Sequence, residues 1–230
     1  MAYNCEKYAI IIIKTENLRG EKMSHYFSEK QEVKSDRKII KYEIKNKKFE
    51  FVTDNGVFSK TKVDFGTDVM LKVFLRENLN RKSQKFDVLD IGCGYGVVSV
   101  VIKSFFENAR TVSSDVNERA LDLTRENLLK NGVVKAENDD FEVRKSFVFD
   151  NISEKFDVIL SNPPIRAGKQ TIFQIYEQSF EHLNENGEFY CVIQTKHGAK
   201  STQRKLEEVF GNCETLEINA GYRIFRSVKK

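Results

Sequence analysis

From Lys38 to Thr53 the chain alternates apolar and polar residues on either side of Asn46-Lys47. That alternation predicts a β-hairpin with Ile40, Tyr42 and Ile44 on one face and Phe49 and Phe51 on the partner strand. Asp54-Asn55-Gly56 forms a turn, and Met70, Leu71, Phe74 and Leu75 then follow at helical spacing. Beyond Phe86 short apolar runs (DVLDI, TVSSD, FEVR, FDVILS, FYCVIQT) alternate with helical stretches at Val97–Phe106, Asn117–Lys130, Lys169–Leu183 and Lys200–Phe210. Asn117 caps its helix and Asn131-Gly132 closes it. The last two runs, TLEIN and YRIFRSV, are joined by Ala220-Gly221, so the final strand turns back antiparallel. The pattern predicts an α/β fold: a mainly parallel sheet, covered on both faces through right-handed crossovers, with a small N-terminal hairpin extension. The expected units are a leader over 1–22, the hairpin extension over 23–64 and the main domain over 65–230.

The chain has 230 residues, 40% of them hydrophobic and 31% charged, enough apolar content for one core. The longest aliphatic run, Ala9 to Ile13, is five residues, too short for a membrane span or a secretory segment. Cys5, Cys93, Cys191 and Cys213 lack metal-ligand spacing, so reduced thiols in a soluble cytoplasmic protein, without a metal site, are expected. Residues 1–64 hold 14 Lys and Arg against 10 Asp and Glu, whereas the rest hold 24 against 24. A surplus that small does not by itself identify a nucleic-acid binder. His25, His182 and His197 form no constellation and read as surface or packing residues.

Chemistry enters at Asp90-Ile91-Gly92-Cys93-Gly94-Tyr95-Gly96, a glycine-rich turn between a strand and a helix. Gly92, Gly94 and Gly96 let the backbone turn tightly and a ligand approach closely. The G-x-G-x-G spacing lacks the last glycine of the dinucleotide fingerprint, because Val97 stands there, which disfavours a pyrophosphate site. Asp115 ends the next strand, where a carboxylate accepts both hydrogen bonds of a ribose diol; Asn117 already supplies the helix cap. Asp90 before the loop suits a cationic cofactor group better than a phosphate.

The only two prolines stand together in Ser161-Asn162-Pro163-Pro164-Ile165, at the end of the strand FDVIL. Average usage of about 5% would place roughly eleven in a chain this long. The pair removes two backbone donors and leaves a rigid row of carbonyl acceptors beside the Asn162 amide. Such a row suits the two N–H bonds of an exocyclic amine. Arg166 and Lys169 follow this strand, and Lys196 and Lys200 follow the next, at the ends where open α/β sheets bind ligands. Phosphate contact is the functional reading of the four; solvated loop cations are the alternative.

Together, D-I-G-C-G-Y-G, Asp115 and S-N-P-P-I resemble the class I S-adenosylmethionine-dependent methyltransferases whose Asn-Pro-Pro motif serves methylation of planar amino nitrogens. G-V-F-S, D-F-G-T, N-P-P-I-R-A-G-K and I-Q-T-K-H-G-A-K-S narrow this to the "methyltransferase small" domain, which includes the RsmC-type ribosomal RNA guanine-N2 enzymes. The resemblance covers about residues 24–228 and implies a Rossmann-like class I methyltransferase sheet. It implies that S-adenosyl-L-methionine is held by Thr67, Asp90, Gly92, Gly94, Gly96, Asp115 and Asn162. Asn162 and Pro163 would be catalytic, and Pro164, Ile165, Arg166, Lys169, Lys196 and Lys200 would meet the substrate, guanine N2 in ribosomal RNA.

The chain departs from the pattern in three ways. It has room for one methyltransferase domain where RsmC-type enzymes carry two. Phe147 stands where an acidic residue contacts adenine, and the usual aromatic after the prolines is Ile165. A protein glutamine-N5 methyltransferase is the alternative enzyme, although those usually carry tyrosine at the Ile165 position. A non-catalytic RNA-binding module is the other alternative, against which the intact glycine loop and tetrad count. Residues 1–22 have no counterpart in the resemblance. Arg19-Gly20-Glu21-Lys22 is compatible with a ribosome-binding sequence upstream of a start at Met23, so the leader is expected to be dispensable.

Overall fold

The computed structural model describes residues 33–134 and 140–230. The expected leader and the start at Met23 lie outside the described residues. Strands β1 (Lys38–Ile44) and β2 (Lys47–Thr53) form the hairpin, with Ile40 opposite Phe51 and Tyr42 opposite Phe49. The turn residues are Lys45 and Asn46, one position earlier than the alternation suggests, and both have positive φ. A two-residue hairpin turn that follows the strand twist needs left-handed backbone at both positions, which asparagine tolerates well.

Helix α1 (Phe65–Asn78) is capped by Asp64, whose Oδ2 accepts from the Thr67 amide at 3.0 Å. Strands β3 (Asp87–Ile91), β4 (Arg110–Asp115), β5 (Phe141–Lys145), β6 (Phe156–Ser161) and β7 (Leu183–Gln194) run parallel. Between them lie α2 (Val97–Phe105), α3 (Glu118–Lys130) and α4 (Lys169–Glu181), and α5 (Ala199–Phe210) follows β7. Strands β8 (Glu214–Asn219) and β9 (Tyr222–Val228) complete a seven-stranded sheet of order β5-β4-β3-β6-β7-β9-β8, in which β9 is antiparallel to both neighbours. The predicted helix over Lys169–Leu183 ends at Glu181, because Leu183 is already paired with Phe156 as the first residue of β7.

The central parallel strands are buried on both sides, so their side chains alternate between two cores. Val158, Leu160, Tyr190 and Val192 join Met70, Phe74 and Val101 on one side; Ile159, Phe189 and Cys191 join Ile172, Tyr176 and Leu206 on the other. The hairpin's Ile44, Phe49 and Phe51 belong to the first of these cores. Its outer edge is closed by two asparagines one turn apart, Asn127 in α3 and Asn131 at its C-cap. Asn127 Oδ1 accepts from the Val52 amide at 2.7 Å, and its Nδ2 donates to the Val52 and Tyr95 carbonyls at 2.9 and 2.8 Å. Asn131 repeats the reciprocal pair with Glu50 at 3.1 and 2.9 Å. Among the described residues no helix is long and apolar enough to cross a membrane, and no group of three or more potential ligands could hold a metal ion.

Candidate active site

A cavity of about 730 Å³ opens at the carboxyl ends of β3, β4, β6 and β7, the place where crossovers diverge in an open α/β sheet. Its floor is the β3–α2 turn. Gly92, Gly94 and Gly96 have φ of 74°, 57° and 86°, all in the left-handed region. A Cβ at Gly92 or Gly94 would meet no atom within 4 Å, so the space over the loop is open to a ligand. At Gly96 a Cβ would stand 2.9 Å from Thr124 Cγ2, so close helix packing adds a second reason for glycine there. The Gly92 and Cys93 amides donate to the Ser114 carbonyl at 2.8 and 2.9 Å, which ties the loop to the end of β4.

Asp115 both fixes this loop and faces the cavity. Its Oδ2 accepts from the Gly94 amide and its Oδ1 from the Asn117 amide, each at 2.9 Å. Asn117 caps α3, with Oδ1 accepting from the Arg119 and Ala120 amides, as the sequence suggested. Burial pushes the Asp115 carboxyl up to about 6, against the backbone amides of Asn117, Gly94 and Val116, which hold it down. Each oxygen retains a second lone pair, so the residue suits a ribose diol. Asp90 lines the same cavity but turns Oδ2 toward α2, accepting from the Ser99 hydroxyl at 2.7 Å and the Ser99 amide at 3.2 Å. Burial raises Asp90 to about 7; the Ser99 bonds pull it down and the charge of Asp115 adds to the upward push.

The Asn-Pro-Pro turn forms the opposite wall. Asn162 Nδ2 donates to Thr67 Oγ1 at 2.9 Å and to Asp64 Oδ2 at 3.1 Å, while its Oδ1 has no hydrogen-bond partner among the described residues. Pro163, Pro164 and Ile165 continue along the cavity. Thr67, which the resemblance places with the cofactor, makes its side-chain contact with Asn162. Phe147 lies in the wall at 40% exposure, an aromatic face where an acidic residue is usual.

Of the four cations singled out from sequence, the structure brings Arg166 to the cavity wall. Lys169 stands at the first turn of α4, its ammonium 5.0 Å from the Phe173 ring, and Lys196 and Lys200 lie just after β7 outside the wall. His182 packs on Phe149 and bonds the Glu154 carbonyl, a structural role. His197, read from sequence as surface or packing, instead lines the cavity, as do Asp64, Gln194 and Tyr222. Asp64 stood inside the D-F-G-T stretch, where its chemistry was legible; Tyr222 comes from β9, which folds back beside β7, and no local signal marks it.

A parallel sheet ending in an antiparallel strand, a glycine loop with its paired acid, and an Asn-Pro-Pro turn at the same sheet end define a class I S-adenosylmethionine-dependent methyltransferase. Residues 48–226 match the methyltransferase small domain family, to which the chain belongs. It is 39% identical over 207 residues to the uncharacterised protein YbxB of Bacillus subtilis, covering 89% of this chain and 98% of that protein. It is 33% identical over 177 residues to ribosomal RNA small subunit methyltransferase C of Cronobacter sakazakii, covering 75% of this chain and 47% of that enzyme. The chain thus spans about half the length of that relative. Among solved structures, the Thermus thermophilus 16S rRNA N2 methyltransferase RsmC, in complex with AdoMet and guanosine, superposes with a TM-score of 0.74 at 24% identity. That match covers 84% of this chain and 51% of the other.

Proposed function

We propose that the protein methylates an exocyclic amino nitrogen of RNA, guanine N2 in ribosomal RNA being the substrate that best suits the site. The observation that carries this reading is the Asn162 side chain. Its amide hydrogens are held by Thr67 and Asp64, which leaves Oδ1 as an unspent acceptor on the cavity wall beside the Pro163 carbonyl. An aromatic amine is a weak nucleophile because its lone pair is delocalised into the ring. Acceptance of its two hydrogens by Asn162 Oδ1 and the Pro163 carbonyl draws the nitrogen toward pyramidal geometry and frees that lone pair. Bound S-adenosylmethionine supplies an already activated methyl group. The protein's contribution is therefore alignment and stabilisation of the positive charge that develops on the amine nitrogen. No strong general base is required, since the methylated ammonium is acidic and gives up its proton along the same hydrogen bonds.

Asp115 and the open space over Gly92 and Gly94 fit the nucleoside part of the cofactor. Ile165 offers an aliphatic surface to the target base, and Arg166 at the wall suits an adjacent phosphate. A base in structured RNA has to swing out of its stack to enter. The similarity to the ribosomal RNA enzymes supports RNA over a protein amide. The test is incubation with radiolabelled cofactor and either fractionated RNA or ribosomal protein, followed by nucleoside analysis. Label recovered as N2-methylguanosine supports the proposal; label in glutamine of the protein fraction overturns it.

A further inference from the structure

Asp64 lies outside the glycine loop and the Asn-Pro-Pro turn, yet among the described residues it is the only carboxylate bonded to the Asn162 side chain. One oxygen, Oδ2, does two things: it accepts from the Thr67 amide at 3.0 Å as the cap of α1 and from Asn162 Nδ2 at 3.1 Å. The surroundings are built to keep it there. Gly66 next to it has no side chain, and a Cβ at that position would stand 2.7 Å from the Tyr222 ring and 3.0 Å from Asp64 Oδ2. Resting on the proposed amino-group chemistry, we infer that Asp64 is a positioning residue that sets which way round the Asn162 amide sits.

The argument is one of donor and acceptor polarity. An asparagine amide has two nearly isosteric ends, and an unconstrained side chain presents either. The flipped amide would offer N–H groups to an incoming amine, donor against donor, and methyl transfer would stop. An ionised carboxylate accepts and does not donate, so Asp64 is compatible only with Nδ2 on its side and Oδ1 on the other. Thr67 Oγ1, the second acceptor, holds the same end. The negative charge behind the amide also polarises it, which makes Oδ1 a stronger acceptor as the amine nitrogen becomes positive.

Asp64→Ser separates this role from the helix cap, because serine caps as well as aspartate but is too short to reach Asn162. Turnover should fall about ten- to thirty-fold, while cofactor affinity, the KM for RNA and the melting temperature stay close to wild type. Thr67→Val, which leaves Asp64 and the cap intact, should lower kcat in the same way and keeps the test open if Asp64→Ser misfolds. The decisive readout is a double-mutant cycle. If Asp64 acts through Asn162, adding Asp64→Ser to Asn162→Ala changes kcat no further. Multiplicative losses, or a loss confined to cofactor affinity, would overturn the positioning role. An Asn162→Ala enzyme with full turnover would instead overturn the amino-group chemistry itself, so the two failures are distinguishable.

Discussion

The Asp115 carboxylate offers the sharpest test of the cofactor site, because its two functions respond differently to pH. In Asp115→Asn the shape is kept, but the side chain loses its charge and turns an NH2 group toward either the Gly94 or the Asn117 amide. Two diol hydrogen bonds to a charged acceptor contribute about 1.5–3 kcal/mol each. Losing the charge and misdirecting one end should therefore remove about 3 kcal/mol, or two decades of affinity for S-adenosylmethionine. The pH profile adds a sign. With the carboxyl titrating at about 6, the diol-binding form is scarce at pH 5 and dominant above pH 7, so wild-type affinity should climb through that window and level off. The ligand-free protein should behave in the opposite sense. Asp115 and Asp90 both titrate above the ordinary aspartate range, so the folded state binds more protons than the unfolded one between about pH 4 and 7. Their contribution to stability thus falls as pH rises across that window, while the cofactor-induced rise in melting temperature grows. Calorimetric titration and thermal melts at pH 5, 6, 7 and 8, on wild type and Asp115→Asn, measure both. A variant that binds within about three-fold of wild type, or shows the same affinity slope, would refute the reasoning.

Asn162→Ala should retain cofactor binding and reduce methyl transfer by about 10²-fold or more, measured in single-turnover assays. Arg166→Ala should lower RNA affinity and reduce the magnitude of its log–log salt slope by about one phosphate contact, read by filter binding from low to moderate salt. Asn127→Ala leaves the Val52 amide and two carbonyls without partners. At about 1–3 kcal/mol for each buried group it should destabilise the fold by about 3 kcal/mol or more, visible as a drop of roughly 6–12 °C in melting temperature.

Those side chains also show what the sequence could and could not disclose. The order and type of nearly every element were legible, because the central strands of the parallel sheet are short apolar runs and the helices carry apolar residues at helical spacing, with a side-chain cap on α1 and α3. Strand β7 was harder: its first half, Leu183 to Gly187, carries Asn184, Glu185 and Asn186 and looks like a turn, yet Leu183 pairs with Phe156. Local composition does not report a pairing made with a residue far away in the chain. The glycine loop, Asp115 and Asn162 were readable because their chemistry depends on backbone geometry that only a few residue types support. Asp90 was visible as an acid but its orientation toward Ser99 was not, since a residue at a strand end does not announce which neighbour it faces. Tyr222 and His197 reach the cavity through tertiary folding alone.

The asparagine seam between the hairpin and α3 has a consequence for how far a change at one residue reaches. Asn127 and Asn131 recognise β2 through its backbone, bonding the amides and carbonyls of Val52 and Glu50 rather than any hairpin side chain. Along that edge the hairpin is read as a main-chain shape. The hairpin's outward side chains therefore take no part in these asparagine bonds. The third bond of Asn127, to the Tyr95 carbonyl, runs to the glycine loop. Hairpin and glycine loop are thus fastened to one side chain, so loss of Asn127 would loosen the floor of the cavity along with the hairpin.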